Sequence, residues 1–176
     1  MTRFNMENGK IGELALEGLD AQASNGPVKV GRFALKSLDI ANLMRMGAQF
    51  SNPAQPTAPD AAFALLPLLE GAEVKTLVAP YKNSDKPVNI DTLSLNWGQF
   101  IGPIPSQARL TLKMSAPLDA NDPGQKMLVA AGLDRLAIDF DLGATWTEAS
   151  RAFALEPVKL DFAGQFKASA RVSLTN

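Results

Sequence analysis

Along most of this chain every second residue is apolar, the period of a β-strand with one face turned to a core. The cleanest run is Gln107–Ser115. Ala108, Leu110, Leu112 and Met114 fall on one side, and Arg109, Thr111, Lys113 and Ser115 on the other. Leu136, Ile138, Phe140, Leu142, Ala144 and Trp146 share one face of a long strand, and Phe166, Ala168, Ala170, Val172 and Leu174 share one face of the last. Further strands are expected at about 2–7, 10–22 and 28–39, and at Val74–Ala79, Val88–Trp97 and Phe153–Phe162. Pro157 inside the last of these implies an edge position or a bulge. Asn8-Gly9 and Asn25-Gly26 suit the positive-φ positions of type I′ turns, so the opening third reads as a meander. Gly98 to Pro105 reads as a Gly/Pro-rich loop.

At Ile40 the period lengthens. Ile40, Leu43, Met44 and Gly47 predict a short helix that fades near Phe50. Three prolines make Ser51–Pro59 a loop. Asp60 can cap a second helix through Leu69, kinked by Pro67 and closed by Gly71. Asp122-Pro123 opens a third, with Gln125–Ala131 as its body and Gly132 as its stop. One solvated and one apolar strand face favour antiparallel pairing over a parallel sheet.

The eleven residues Lys10–Asp20 recur as Lys29–Asp39, with six identities at an offset of nineteen. The shared apolar anchors are separated first by two residues and then by one. The same spacing returns at Ile90, Leu93 and Leu95, at Leu133, Leu136 and Ile138, and at Leu155, Val158 and Leu160. A two-residue gap shifts the phase of a strand, as a bulge or bend does. Repeated on several strands, it curls a sheet into a trough or partial barrel. The first two copies read as a duplicated hairpin unit, and the later ones also fit ordinary amphipathic patterning.

These strands, clearest in Lys10–Asp20, Lys29–Asp39 and Leu133–Leu142, resemble the AsmA-like and related periplasmic β-groove proteins of bacterial envelopes. The resemblance rests on strand pattern over about half the chain. It implies a periplasmic or envelope location and a curved sheet whose apolar concave side shelters lipid or another hydrophobic molecule. Three helical insertions and the lack of a visible anchor depart from that pattern.

The length, 176 residues, is that of one domain. The longest apolar stretch, Ala61–Leu69, is too short to span a bilayer, and the first residues hold no signal-peptide core. The chain opens directly into a strand and stops as a strong alternation runs out. It therefore reads as a single domain from a longer polypeptide, with Met1 supplied in cloning and any leader lying outside it.

Charge is balanced, 17 basic against 18 acidic residues, and neither half carries an excess that would attract nucleic acid. No cysteine and no histidine occur, which removes thiol nucleophiles, imidazole or thiolate metal sites and histidine triads. No Gly-x-Ser-x-Gly, Ser-x-x-Lys, Walker-type loop or dinucleotide fingerprint is present. Asp134, Asp139, Asp141 and Asp161 could gather as a hard-cation site. Their alternation with apolar residues instead reads as a solvated face, paired with Lys159, Lys167 or Arg171.

Trp97, Phe100, Ile101, Ile104 and Trp146 form the candidate ligand-binding group: either the mouth of an apolar site or a plug at one end of the core. The expectation is thus a mainly β (α+β) domain: one curved antiparallel sheet of about seven to nine strands, a half-barrel or groove, with three short helices packed on it. Its expected function is non-catalytic: an envelope domain binding a lipid-like apolar ligand, without cofactor or metal. The alternative is a structural module that contacts other envelope proteins or the rest of its own chain, with no ligand. A carboxylate-based hydrolase is the third reading.

Overall fold

The computed structural model describes residues 3–7, 10–50, 66–81, 84–102, 104–162 and 165–175. Nine strands form one antiparallel sheet in which sequence order and spatial order coincide. They are β1 (Arg3–Glu7), β2 (Lys10–Ala23), β3 (Gly26–Asp39), β4 (Gly71–Tyr81), β5 (Ser84–Ile101), β6 (Ile104–Pro117), β7 (Arg135–Thr147), β8 (Ala152–Phe162) and β9 (Phe166–Thr175). β1 and β9 lie at opposite edges, so the sheet is open rather than closed into a barrel.

The duplicated unit explains the first long hairpin. Its anchors are Ile11, Leu14, Leu16 and Leu19 on β2, and Val30, Phe33, Leu35 and Leu38 on β3. The spacing reads the same in both directions, so the antiparallel pair aligns anchor with anchor: Ile11 with Leu38, Leu14 with Leu35, Leu16 with Phe33, Leu19 with Val30. The gaps contain the equivalent residues Gly18 (φ 68°) and Ser37 (φ 53°), which let each strand change phase without turning its apolar residues over. The gap continues across the sheet. Val74 and Leu77 of β4 pair with Phe33 and Val30, and with Leu93 and Ile90 of β5. Thr76 takes a φ of 54° there. β6 and β7 alternate strictly. β8 carries its own break between Leu155 and Val158, so Pro157 marks a bulge inside the sheet rather than an edge.

Several local expectations change. The β2–β3 turn is made by Ser24 and Asn25, and Gly26 (φ 134°) is already the first residue of β3. Gly98–Pro105 is not a loop. β5 runs on to Ile101, Phe100 pairs with Pro105, and Ile101 pairs with Ile104. The turn opens at Gly102, whose φ of 62° suits a tight hairpin better than a long irregular segment. The Asn8-Gly9 turn, the Ser51–Pro59 loop and the start of the second helix fall outside the described residues.

Among the described residues, two short helices and one 3-10 turn stand in place of the three expected helices. Helix α1 (Ile40–Phe50) begins where expected, since the Asp39 carboxylate accepts from the Asn42 backbone N–H at 2.9 Å, an N-cap bond. Of the second, the described part is the 3-10 turn Leu66–Leu68 around Pro67. Helix α2 (Lys126–Ala130) starts later than Asp122-Pro123. Asp122 instead accepts from Gly124 N (2.9 Å) and Gln125 Nε2 (2.8 Å), a side-chain turn that competes with the helix. Gly132 (φ 86°) ends it as expected. α2 buries no residue, and Met127 is 85% exposed, so it does not pack on the sheet.

Burial is concentrated at one end. The Trp97 indole donates to Leu66 O and the Trp97 backbone N–H to Glu70 O, both at 2.9 Å, and Glu70 N donates to Lys36 O. These bonds seat residues 66–70 on the sheet and sink the Leu68 side chain. Among the described residues the buried apolar side chains are Ile11, Ala15, Ala34 and Leu68, and no large one is fully enclosed.

Candidate functional site

Cross-strand partners lie on the same side of a sheet, so the pairing register assigns every strand residue to a face. One face is apolar from β2 to β9. Its middle row runs Leu16, Phe33, Val74, Leu93, Leu112, Phe140, Leu160 and Ala168. A flanking row runs from Leu14 through Leu35, Ala72, Leu95, Leu110, Leu142 and Val158 to Ala170. The other runs from Leu19 through Val30, Leu77, Ile90, Met114, Ile138 and Phe162 to Phe166. No polar side chain interrupts these rows. At ~4.8 Å per strand, each extends roughly 34 Å.

A compact domain of this size covers such a face with a second layer. Here most of these side chains are only half-buried. The larger ones left exposed range from Leu16 at 37% to Leu174 at 63%, with Leu95, Trp146, Phe166 and Val172 between them. The exposure therefore spans the sheet rather than one spot.

The expected ligand group lies at one end of this face, with one exception. Trp97 belongs to a row with Ala108, Ala144, Leu155 and Val172. Trp146 is one row further along, opposite Phe153, which faces Leu174. The small Ala108 and Ala144 leave a step between the two indoles. Ile101 and Ile104 pair at the hairpin tip on the same side, and Ile104 is 58% exposed. Phe100 is opposite Pro105, whose place in the alternation of β6 puts the pair on the polar face, away from the other four. The Ser106 hydroxyl donates to Gln99 O and closes that end. The three central rows were not singled out as a site from sequence. Their signal was the strand alternation itself, which reads equally well as a filled core.

The opposite face is a ladder of charge. Arg32 binds Glu13 at 2.5 Å and Glu17 at 3.2 Å, with Glu73 3.6 Å away. Ala15 and Ala34, small enough to fit among these longer side chains, are buried on this face. Arg109 grips Asp141 through two bonds of 2.9 and 2.7 Å, and that contact holds the carboxyl below its ordinary range. Asp139 pairs with Lys113 at 3.0 Å, Asp161 with Lys167 at 2.9 Å, and Asp134 with Lys86 at 3.2 Å. Glu156 pairs with Arg171. The aspartates thus bind cations of the chain, partly through Arg109 and Lys113 rather than the expected Lys159. Among the described residues no three acidic side chains converge as metal ligands. A depression of about 370 Å³ lies on this face around Asn96, Arg109, Gly143 and Glu156, but its arginine and glutamate are engaged in those ion pairs.

Among the described residues no helix is long and apolar enough to cross a membrane. Comparison with family models, curated proteins and solved structures finds no match to this chain.

Proposed function

We propose that this chain is a non-catalytic module of the cell envelope that shelters lipid acyl chains on its apolar sheet face. The observation that carries the reading is the uninterrupted set of apolar rows from β2 to β9, half-exposed and free of hydrogen-bonding side chains. Protein interfaces typically carry about one hydrogen bond per 100–200 Å². Rows with no polar side chain instead suit a hydrocarbon occupant, which asks for none. The chain covers its own face at the end where Leu68 is seated, leaving the span toward β9 for the ligand. The envelope placement rests on the strand-pattern resemblance alone.

Native mass spectrometry after mild extraction should show co-purified lipid. A fluorescent fatty acid should bind the stripped protein, and Leu95→Asp or Trp146→Asp should weaken it at least tenfold with the circular dichroism unchanged. A half-buried methylene contributes ~0.4 kcal/mol, half the full value. Shortening the acyl chain by four methylenes should therefore weaken binding roughly fifteenfold. A clean apo mass over several preparations, with no fatty-acid binding at high micromolar concentration, would overturn the proposal.

A further inference from the structure

We propose that β9 is a pairing edge for a second copy of this chain, joined antiparallel about a two-fold axis through Ala170. The two edges of the sheet differ. β1 has five residues and a break in its register between Phe4 and Met6. β9 has ten residues, all exposed, and no proline. The register break it shares with β8 falls at the extra residues Glu156 and Pro157 of β8, so β9 itself is regular. Natural edges are blunted by shortness, bulges, proline or unpaired charges, lysine above all. β9 is neither short nor bulged and has no proline, and its two charges, Lys167 and Arg171, lie on the polar face, where Asp161 and Glu156 neutralise them.

The side chains of β9 also select a register. With Ala170 on the axis, Phe166 faces Leu174 of the second copy, Ala168 faces Val172, Lys167 faces Ser173 and Ser169 faces Arg171. No like charges oppose. An axis at Ser169 sets Lys167 against Arg171, and an axis at Arg171 sets that residue against itself; both are unfavourable. An axis lying between residues sets apolar against polar positions and turns the two apolar faces to opposite sides. Axes further out shorten the overlap. Pairing at Ala170 thus joins the two apolar faces into one of twice the width. It rests on the β9 edge alone, and lipid binding to a single copy does not require it.

Sedimentation of the full chain should show a concentration-dependent dimer. Ser173 is opposite Ala154 within its own sheet, so its charge can be changed without a charged neighbour on β8. Ser173→Lys, placed against Lys167 of the second copy twice per dimer, should weaken association about tenfold, and Ser173→Glu should tighten it. The chain holds no cysteine, so a single introduced thiol reports one geometry. Directly opposed Cα atoms lie about 4.5–5.5 Å apart, within disulfide reach, so Ala170→Cys should cross-link on oxidation. Ala168→Cys should not, because its symmetry mate lies roughly 13 Å along the strand. A monomer at high micromolar concentration overturns the inference. So does a dimer that ignores the charge at 173 and escapes Ala170→Cys, which would be two apolar faces stacked together. Fatty-acid binding measured on the same proteins separates this inference from the proposed function: loss of pairing with binding intact counts against the edge alone.

Discussion

At the scale of single residues, stability is decided where backbones meet most closely. A Cβ on Gly143 would collide with the Glu156 carbonyl oxygen, and backbone cannot swing aside as a side chain can. Gly143→Ala should therefore cost about 2–3 kcal/mol in urea denaturation. Gly98, also on a long strand but with open space around its missing Cβ, is the control: Gly98→Ala should be neutral or slightly stabilising. The charge ladder responds to pH instead. The hydrogen bond from Arg109 lowers the Asp141 carboxyl from its ordinary 3.8, and the bond from Lys86 lowers Asp134. A carboxyl lowered on folding contributes stability above its unfolded pKa, lost as pH falls through the folded one. Asp139 and Asp161 hold Lys113 and Lys167 above their ordinary 10.5, a contribution present below that value and lost as pH rises through the folded ones. The melting temperature should thus be flat between about pH 5 and 9 and fall on both sides, by small amounts because the pairs are exposed. Asp141→Asn should flatten part of the acid limb.

At the scale of elements, the phase-shifting gaps do the work that turns do elsewhere. A one-residue slip would carry half of a strand's leucines to the charged side. Instead the gaps of β2, β3, β4 and β5 lie beside one another, and the apolar rows pass through unbroken. Thr76 bears a cost for this, a β-branched residue at a φ of 54°. Thr76→Gly should raise stability by about 1 kcal/mol, read as a higher urea midpoint at unchanged m. A matching loss for Gly18→Val would show that the left-handed position, not local packing, sets the sign.

At the scale of the whole molecule, each strand pairs only with its neighbours in sequence, as repeats do in a solenoid. Stability should then be close to a sum of strand–strand terms, with weak long-range cooperativity. Hydrogen exchange should show the strongest protection in β4 to β7 and the weakest in the short edge strand β1. Leu155→Ala should loosen β8 and β9 while leaving β3 to β5 protected as before. A uniform loss of protection across all strands would refute this picture and show that a second layer ties the sheet together.

The strands themselves were legible in the amino-acid order, because a period of two with one apolar side is a local property that pairing reinforces. The β2–β3 hairpin was legible too, but its register was not: Asn25-Gly26 marks a turn, whereas the paired anchors place that turn one residue earlier, at Ser24 and Asn25. The start of α1 at Ile40 and the stop at Gly132 followed from periodicity and backbone chemistry within a few residues, while the Asp39 cap came only with the structure. The Gly98–Pro105 segment misled, because glycine and proline mark a turn without stating how many flanking residues still pair. What no local pattern could reveal was whether the apolar face would be closed. An alternating strand looks the same under a second layer as under water. The difference depends on where other segments travel in space, and only the tertiary structure places Leu68 at one end and leaves the rows toward β9 half-exposed.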